Sequence, residues 1–92
     1  MAEFEWNPVK AASNLRKHGV PFPYAARVFL DPHRLDHVDD RRAYRGERRL
    51  TMGMIDGRLY VVAYTPRGTV MQLISARKAN AREKKQYRPL HA

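Results

Sequence analysis

The run Leu50-Thr51-Met52-Gly53-Met54-Ile55-Asp56-Gly57-Arg58-Leu59-Tyr60-Val61-Val62-Ala63-Tyr64-Thr65 decides the fold class. Leu50, Met52 and Met54 alternate with Thr51 and Gly53, which is the period of a strand. Asp56-Gly57 follows, and both residues tolerate the positive φ of a tight hairpin. Leu59 to Thr65 then reads as a buried strand. Pro66-Arg67-Gly68 turns the chain again, and Thr69 to Ala76 completes an antiparallel meander.

Elements on either side fit around this meander. Glu3-Phe4-Glu5-Trp6 alternates polar and apolar residues, as a short strand does. Asn7 is a favoured helix N-cap, and Pro8 at the first helical position loses no needed hydrogen bond. Val9, Ala12 and Leu15 recur on one face as far as His18, and Gly19 supplies a left-handed stop. Phe22-Pro23 opens a shorter helix that ends at Asp31-Pro32, because a residue before proline is biased away from helix. Leu35 to Val38 reads as a further strand and Asp39 to Gly46 as a charged loop. Asn80 caps a final basic helix, Ala81 to Tyr87, with Glu83 in the capping-box position. The expected order is β-α-α-β-β-β-β-α. This is an α+β fold, with two N-terminal helices and a C-terminal helix packed on an antiparallel sheet, and residues 1–92 form one domain.

Composition narrows the functional classes. The 92 residues include no cysteine, which excludes a disulfide framework and a thiolate metal site and fits a reducing compartment. No apolar run approaches the roughly 20 residues that span a bilayer. Met1 to Trp6 lacks the basic and apolar regions of a secretory signal, so a cytoplasmic protein is expected. Charge is uneven along the chain. Residues 1–40 hold five basic and six acidic groups, whereas residues 41–92 hold thirteen and three. Such a field favours a polyanion or an acidic protein, and the 13 arginines lean toward phosphate through their two-pronged geometry.

Most enzyme signatures are missing. There is no Gly-x-Ser-x-Gly, no Walker loop and no Gly-x-Gly-x-x-Gly. His33 and His37 lie four apart near Asp31, Asp36, Asp39 and Asp40, but Pro32 argues against a helix there. Exposed loop histidines are expected, with no metal or other cofactor. What remains is a set of cations. Arg77 and Lys78 leave the last strand, and Arg82, Lys84, Lys85 and Arg88 follow on the helix. Arg41, Arg42, Arg45, Arg48 and Arg49 crowd the loop before the hairpin. Arg67 sits in a turn at the opposite end of the sheet from Arg77. Tyr60, Tyr64 and Tyr87 offer flat rings for an unpaired base, with ordinary packing as the other reading. A site of this composition can cleave RNA without a metal. The neighbouring 2′-hydroxyl attacks the phosphorus, cations stabilise the charge that develops, and lysine, tyrosine or histidine moves the proton.

Two separated motifs add a family resemblance. Phe4-Glu5-Trp6-Asn7-Pro8, Lys10, Asn14, Lys17-His18-Gly19-Val20 and Phe22 resemble the opening of the BrnT family of bacterial type II toxins. Leu73-Ile74-Ser75-Ala76-Arg77-Lys78-Ala79, Arg82-Glu83 and Tyr87 resemble its second half, and Glu47-Arg48, Leu50 and Met52-Gly53 fit its second strand. The resemblance implies a RelE-like fold and a metal-independent ribonuclease that inhibits translation. It also implies a ribbon-helix-helix antitoxin, BrnA, through which operator DNA is bound. On this reading Arg77, Arg67 and Lys78 carry the reaction. Arg48, Arg49, Arg82, Lys84, Lys85 and Tyr64 hold RNA, and Lys17 and His18 match the first-helix motif. The chain departs from the family at Asn7, usually aspartate, at Pro23-Tyr24, usually acidic, and at Gln72, often arginine. The competing readings are a non-enzymatic nucleic-acid-binding module and a domain whose basic face docks an antitoxin.

Overall fold

A computed structural model describes residues 3–39 and 47–91, with the backbone alone for 88–91. The elements are β1 (Glu3–Trp6), α1 (Pro8–His18), α2 (Phe22–Ala25) with a 3-10 turn at Ala26–Leu30, β2 (Leu35–Val38), β3 (Arg49–Ile55), β4 (Arg58–Arg67), β5 (Val70–Lys78) and α3 (Ala81–His91). Their order is the expected one. The sheet order is β1-β5-β4-β3-β2. β2 to β5 form an antiparallel ladder, while β1 runs parallel to β5, so the sheet is mixed. The hairpin Asp56-Gly57 has positive φ at both residues (50° and 81°), the geometry that this dipeptide favours. The β4 strand continues through Pro66 to Arg67, and the next turn is the two-residue Gly68-Thr69.

β4 is apolar without a break because both of its faces are covered. Tyr60, Val62 and Tyr64 face a core shared with Val20, Phe22 and Val28 of the N-terminal helical layer. Leu59 and Val61 face a smaller cluster with Met52, Ala79 and Tyr87, beneath α3. Gly53 lets the 3-10 turn approach, since a Cβ there would lie 2.9 Å from the Val28 carbonyl oxygen.

Two features aim the end of β5. First, the β4–β5 register slips between Ala63 and Tyr64, where Ser75 and Leu73 are the partners and Ile74 is the extra residue. Leu73 and Ala76 consequently both face the larger core, although they are three positions apart. Arg77 is thereby turned to the α3 side. Second, β1 pairs only with Val70 to Leu73, which leaves the remaining edge of β5 without a strand neighbour. Buried Asn14 of α1 takes that place. Its Nδ2 donates to the Ala76 carbonyl (2.9 Å) and its Oδ1 accepts the Ala76 N–H (3.0 Å), while Nδ2 also donates to the Val20 carbonyl (3.2 Å).

Removing this amide leaves a buried N–H and C=O with no partner. Asn14→Ala should destabilise the domain by roughly 2–4 kcal/mol, read as a lower denaturant midpoint at unchanged m-value. A loss below about 0.5 kcal/mol would show that water replaces the clamp without cost.

Candidate functional site

A groove of about 330 Å³ lies between the sheet and α3. Leu50, Met52 and Val61 form its apolar floor. His37 of β2 stands on one side, and Arg77, Asn80, Arg82, Glu83 and Gln86 line the other. The capping box expected at Asn80 is present. The Glu83 N–H donates to Asn80 Oδ1 (2.8 Å), and the Asn80 N–H donates to Glu83 Oε1 (2.9 Å).

Glu83 has a second role. Arg77 Nη1 and Nη2 donate to its two carboxylate oxygens, both at 2.8 Å, and Nη1 also reaches the Lys78 carbonyl at 3.3 Å. The Arg77 guanidinium holds the Glu83 carboxyl below the usual glutamate range, against an opposing push from burial. The same bonds raise the pKa of Arg77, so its charge is permanent. A guanidinium has five N–H donors, and this pairing uses its terminal edge. The Nε–H and the second Nη2–H have no partner among the described residues. They form a fork that matches two oxygens of a phosphate.

The other cations expected at the site are dispersed. Arg82, Lys84 and Lys85 are exposed on α3, and Arg82 lines the groove. Lys78 pairs with Tyr60 and points to the other side of the sheet from Arg77. Arg67 is exposed at the far end of β4, six residues beyond Val61, the partner of Arg77. That is about 20 Å along the strand, so the two arginines do not share the groove. Arg48 Nε lies 3.3 Å from the buried Asp39 carboxylate. Arg49 is bonded to Asp36 (2.6 Å) and to Glu47, on the opposite face of the sheet from Arg77. Arg41, Arg42, Arg45, Asp40 and the Arg88 side chain lie outside the described residues.

Tyr64 is only 4% exposed, with its hydroxyl donating to Asp36 and its ring edge-on to Phe29 at 4.9 Å. It therefore presents no free face for a base. Tyr60 is buried against Tyr24. The Tyr87 hydroxyl donates to Asp31; burial, then this bond, pushes it up to about 12. The Asp31 carboxylate also accepts the His33 and Met54 N–H groups. Among the described residues no three histidine, aspartate or glutamate side chains gather as a metal site.

Three residues of this arrangement have roles that motif reading does not give. His37 lies on a strand opposite Leu50 rather than in a loop, and this register brings it to the groove. Glu83 reads as a cap and is also the partner of Arg77. Asn14 reads as one polar position on a helix. The alternation of β2 against Leu50 and Met52 was the available signal for His37. Asn14 stands in the first-helix motif, but nothing local gives its partner on β5.

A mixed sheet with a helical layer on one face and a cation-lined groove under a basic helix defines a small α+β domain suited to gripping a polyanion. Residues 6–83 match the family described as ribonuclease toxin, BrnT, of type II toxin–antitoxin systems, and the chain belongs to that family. No curated protein matches the chain significantly.

The Arg77–Glu83 pair makes stability depend on pH with a definite sign. A carboxyl whose folded pKa is depressed stabilises the fold above its ordinary value, here 4.5, and loses that contribution as pH falls through the folded value. Melting temperature should therefore drop as pH is lowered beneath the ordinary carboxylate range. Glu83→Gln should melt lower near neutrality and show a shallower acid dependence. Identical pH curves for the two proteins would show that the pair does not contribute.

Proposed function

We propose that the groove under α3 binds a phosphodiester of RNA and promotes attack by the adjacent 2′-hydroxyl on phosphorus, without a metal ion; the bond to the 5′-oxygen breaks, leaving a 2′,3′-cyclic phosphate and a 5′-hydroxyl that takes up a proton. The observation that carries this reading is Arg77, which lines the groove and whose terminal edge is fixed by Glu83 while its Nε edge makes no bond among the described residues. Held in this way, the guanidinium needs little reorganisation to meet the negative charge that develops on the phosphate oxygens. Arg82 adds charge at the same rim. His37 lines the opposite side, and imidazole is the side chain there best suited to transferring the proton. Glu83 is a poor base in this role because Arg77 stabilises its ionised form.

Membership of the ribonuclease toxin family supports cleavage in general. From it we infer that cleavage arrests translation in the cytoplasm. A BrnA-like ribbon-helix-helix antitoxin neutralises the protein and carries the pair to operator DNA. Among the described residues no helix is long and apolar enough to cross a membrane.

Purified protein should cleave RNA in excess EDTA. Arg77→Ala should lower the rate roughly 10²–10³-fold, the scale of losing one preorganised donor. Arg77→Lys keeps the charge without the fork and should fall well below wild type. Cleavage by Arg77→Ala within about twofold of wild type, or full loss of activity in EDTA, would overturn the mechanism.

A second expectation concerns the cell. Expression of the chain alone should arrest bacterial growth and degrade RNA, and co-expression with the antitoxin should restore growth. Normal growth at verified soluble expression would count against a toxin.

A further inference from the structure

The described cations fall into two populations. Arg27, Arg34, Arg48, Arg49 and Arg77 are each paired with a carboxylate. Helix α1 has no acidic residue, and its Lys10 and Lys17 meet no carboxylate among the described residues. These two lysines lie seven residues apart, hence on one helix face and about 10 Å apart along the axis. Asn14 is on the same face, four residues after one and three before the other. Since Asn14 is bonded to Ala76, that face is turned toward the open edge of β5. Between helix and strand lies a hollow of about 200 Å³, lined by Lys10, Ser13, Lys17 and His18 from α1 and by Ile74 and Ser75 from β5.

We propose that this hollow is a second phosphate-binding subsite for single-stranded RNA, occupied by the part of the strand that extends past the groove. The inference rests on the ribonuclease reading of the groove. Its lining is suited to a phosphate: two unpaired ammonium groups, an imidazole and two hydroxyls, with no carboxylate among them. Its position joins it to the reaction site. Ser75 belongs to the hollow and Arg77, two residues on, to the groove, so a strand leaving Arg77 reaches the lysines by crossing the edge that β1 leaves uncovered. The RNA would thus bend around the end of β5, held by α3 on one side and α1 on the other.

The test uses the full chain and a 2′-O-methylated RNA of about ten nucleotides, which binds without being cleaved. Affinity is measured against salt for wild type, for Lys10→Gln/Lys17→Gln, and for Arg16→Gln/Arg58→Gln. The last variant removes the same charge from exposed positions outside both sites. Thermal melts establish that all three are folded. Losing two phosphate contacts should make the log–log salt slope of the lysine variant shallower by about 1.4, and weaken binding roughly tenfold at about 0.1 M salt. The arginine control should keep the wild-type slope. RNA shortened to two or three nucleotides should abolish the difference between wild type and the lysine variant.

An unchanged slope in the lysine variant overturns the proposal, as does an equal loss in the control, which would mean a diffuse field. Loss of antitoxin binding with RNA binding intact also overturns it, and makes the hollow a protein-docking surface. If wild type itself does not bind the RNA, the ribonuclease reading fails along with the subsite.

Discussion

The arrangement of the groove depends on one buried amide. Asn14 completes the β5 ladder at the point where β1 ends, and it does so from a helix 62 positions earlier in the chain. Only asparagine or glutamine both donates and accepts as a backbone neighbour does, and the shorter side chain fits the distance between α1 and β5. Aspartate would face the Ala76 carbonyl with a second acceptor, and leucine would leave both groups of Ala76 unsatisfied. The residue after Ala76 is Arg77. The N-terminal layer therefore does more than cover the larger core. It fixes the backbone from which the central cation of the other face projects.

Formal charge overstates what the surface offers a nucleic acid. At the β2–β3 edge, Asp36 accepts from Arg34, Arg49 and Tyr64, and Thr51 accepts from Arg34. Burial pushes the Asp36 carboxyl upward, but these bonds outweigh it and hold the group ionised below its usual range. Arg34 also lies over the ring of Phe29, 4.8 Å from its centroid. This cluster closes the open end of the core, and it removes two arginines and a tyrosine from the set a ligand could use. Among the described residues, the cations that stay available lie on α1, on α3 and at the ends of β4 and β5.

Local signals in the sequence were strong, and the elements they governed were legible. Asn7 accepts from the N–H groups of Val9 and Lys10 as an N-cap should, and Gly19 has the left-handed φ of a helix stop. The Asp56-Gly57 hairpin and the Asn80–Glu83 box follow the same rule. Features set by distant pairing were not legible. The parallel join of β1 to β5 links positions 67 residues apart and leaves no mark on either strand. The candidate site was legible only around Arg77, because a cation at the end of a strand is visible in the sequence but its neighbours across the groove are not. Tyr64 could equally have stacked on a base or packed in the core. Its register opposite Leu73 and Arg49, which alternation alone does not give, decides for the core.

The extra residue at Ile74 has an evolutionary consequence. In an unbroken strand Leu73 and Arg77 would share a face, and a core position and a phosphate-binding position could not both be served. The slip permits both, at the cost of one residue more on β5 than on β4 over this stretch. Substitutions between Leu73 and Arg77 alter packing by degrees. Deleting Ile74 would restore an even ladder and still leave the arginine opposite Val61, whereas evening out the ladder with all five residues kept would turn the arginine into the hydrophobic layer. Descendants of this chain can therefore lose the irregularity only together with a residue; losing it alone would separate the fold from its chemistry.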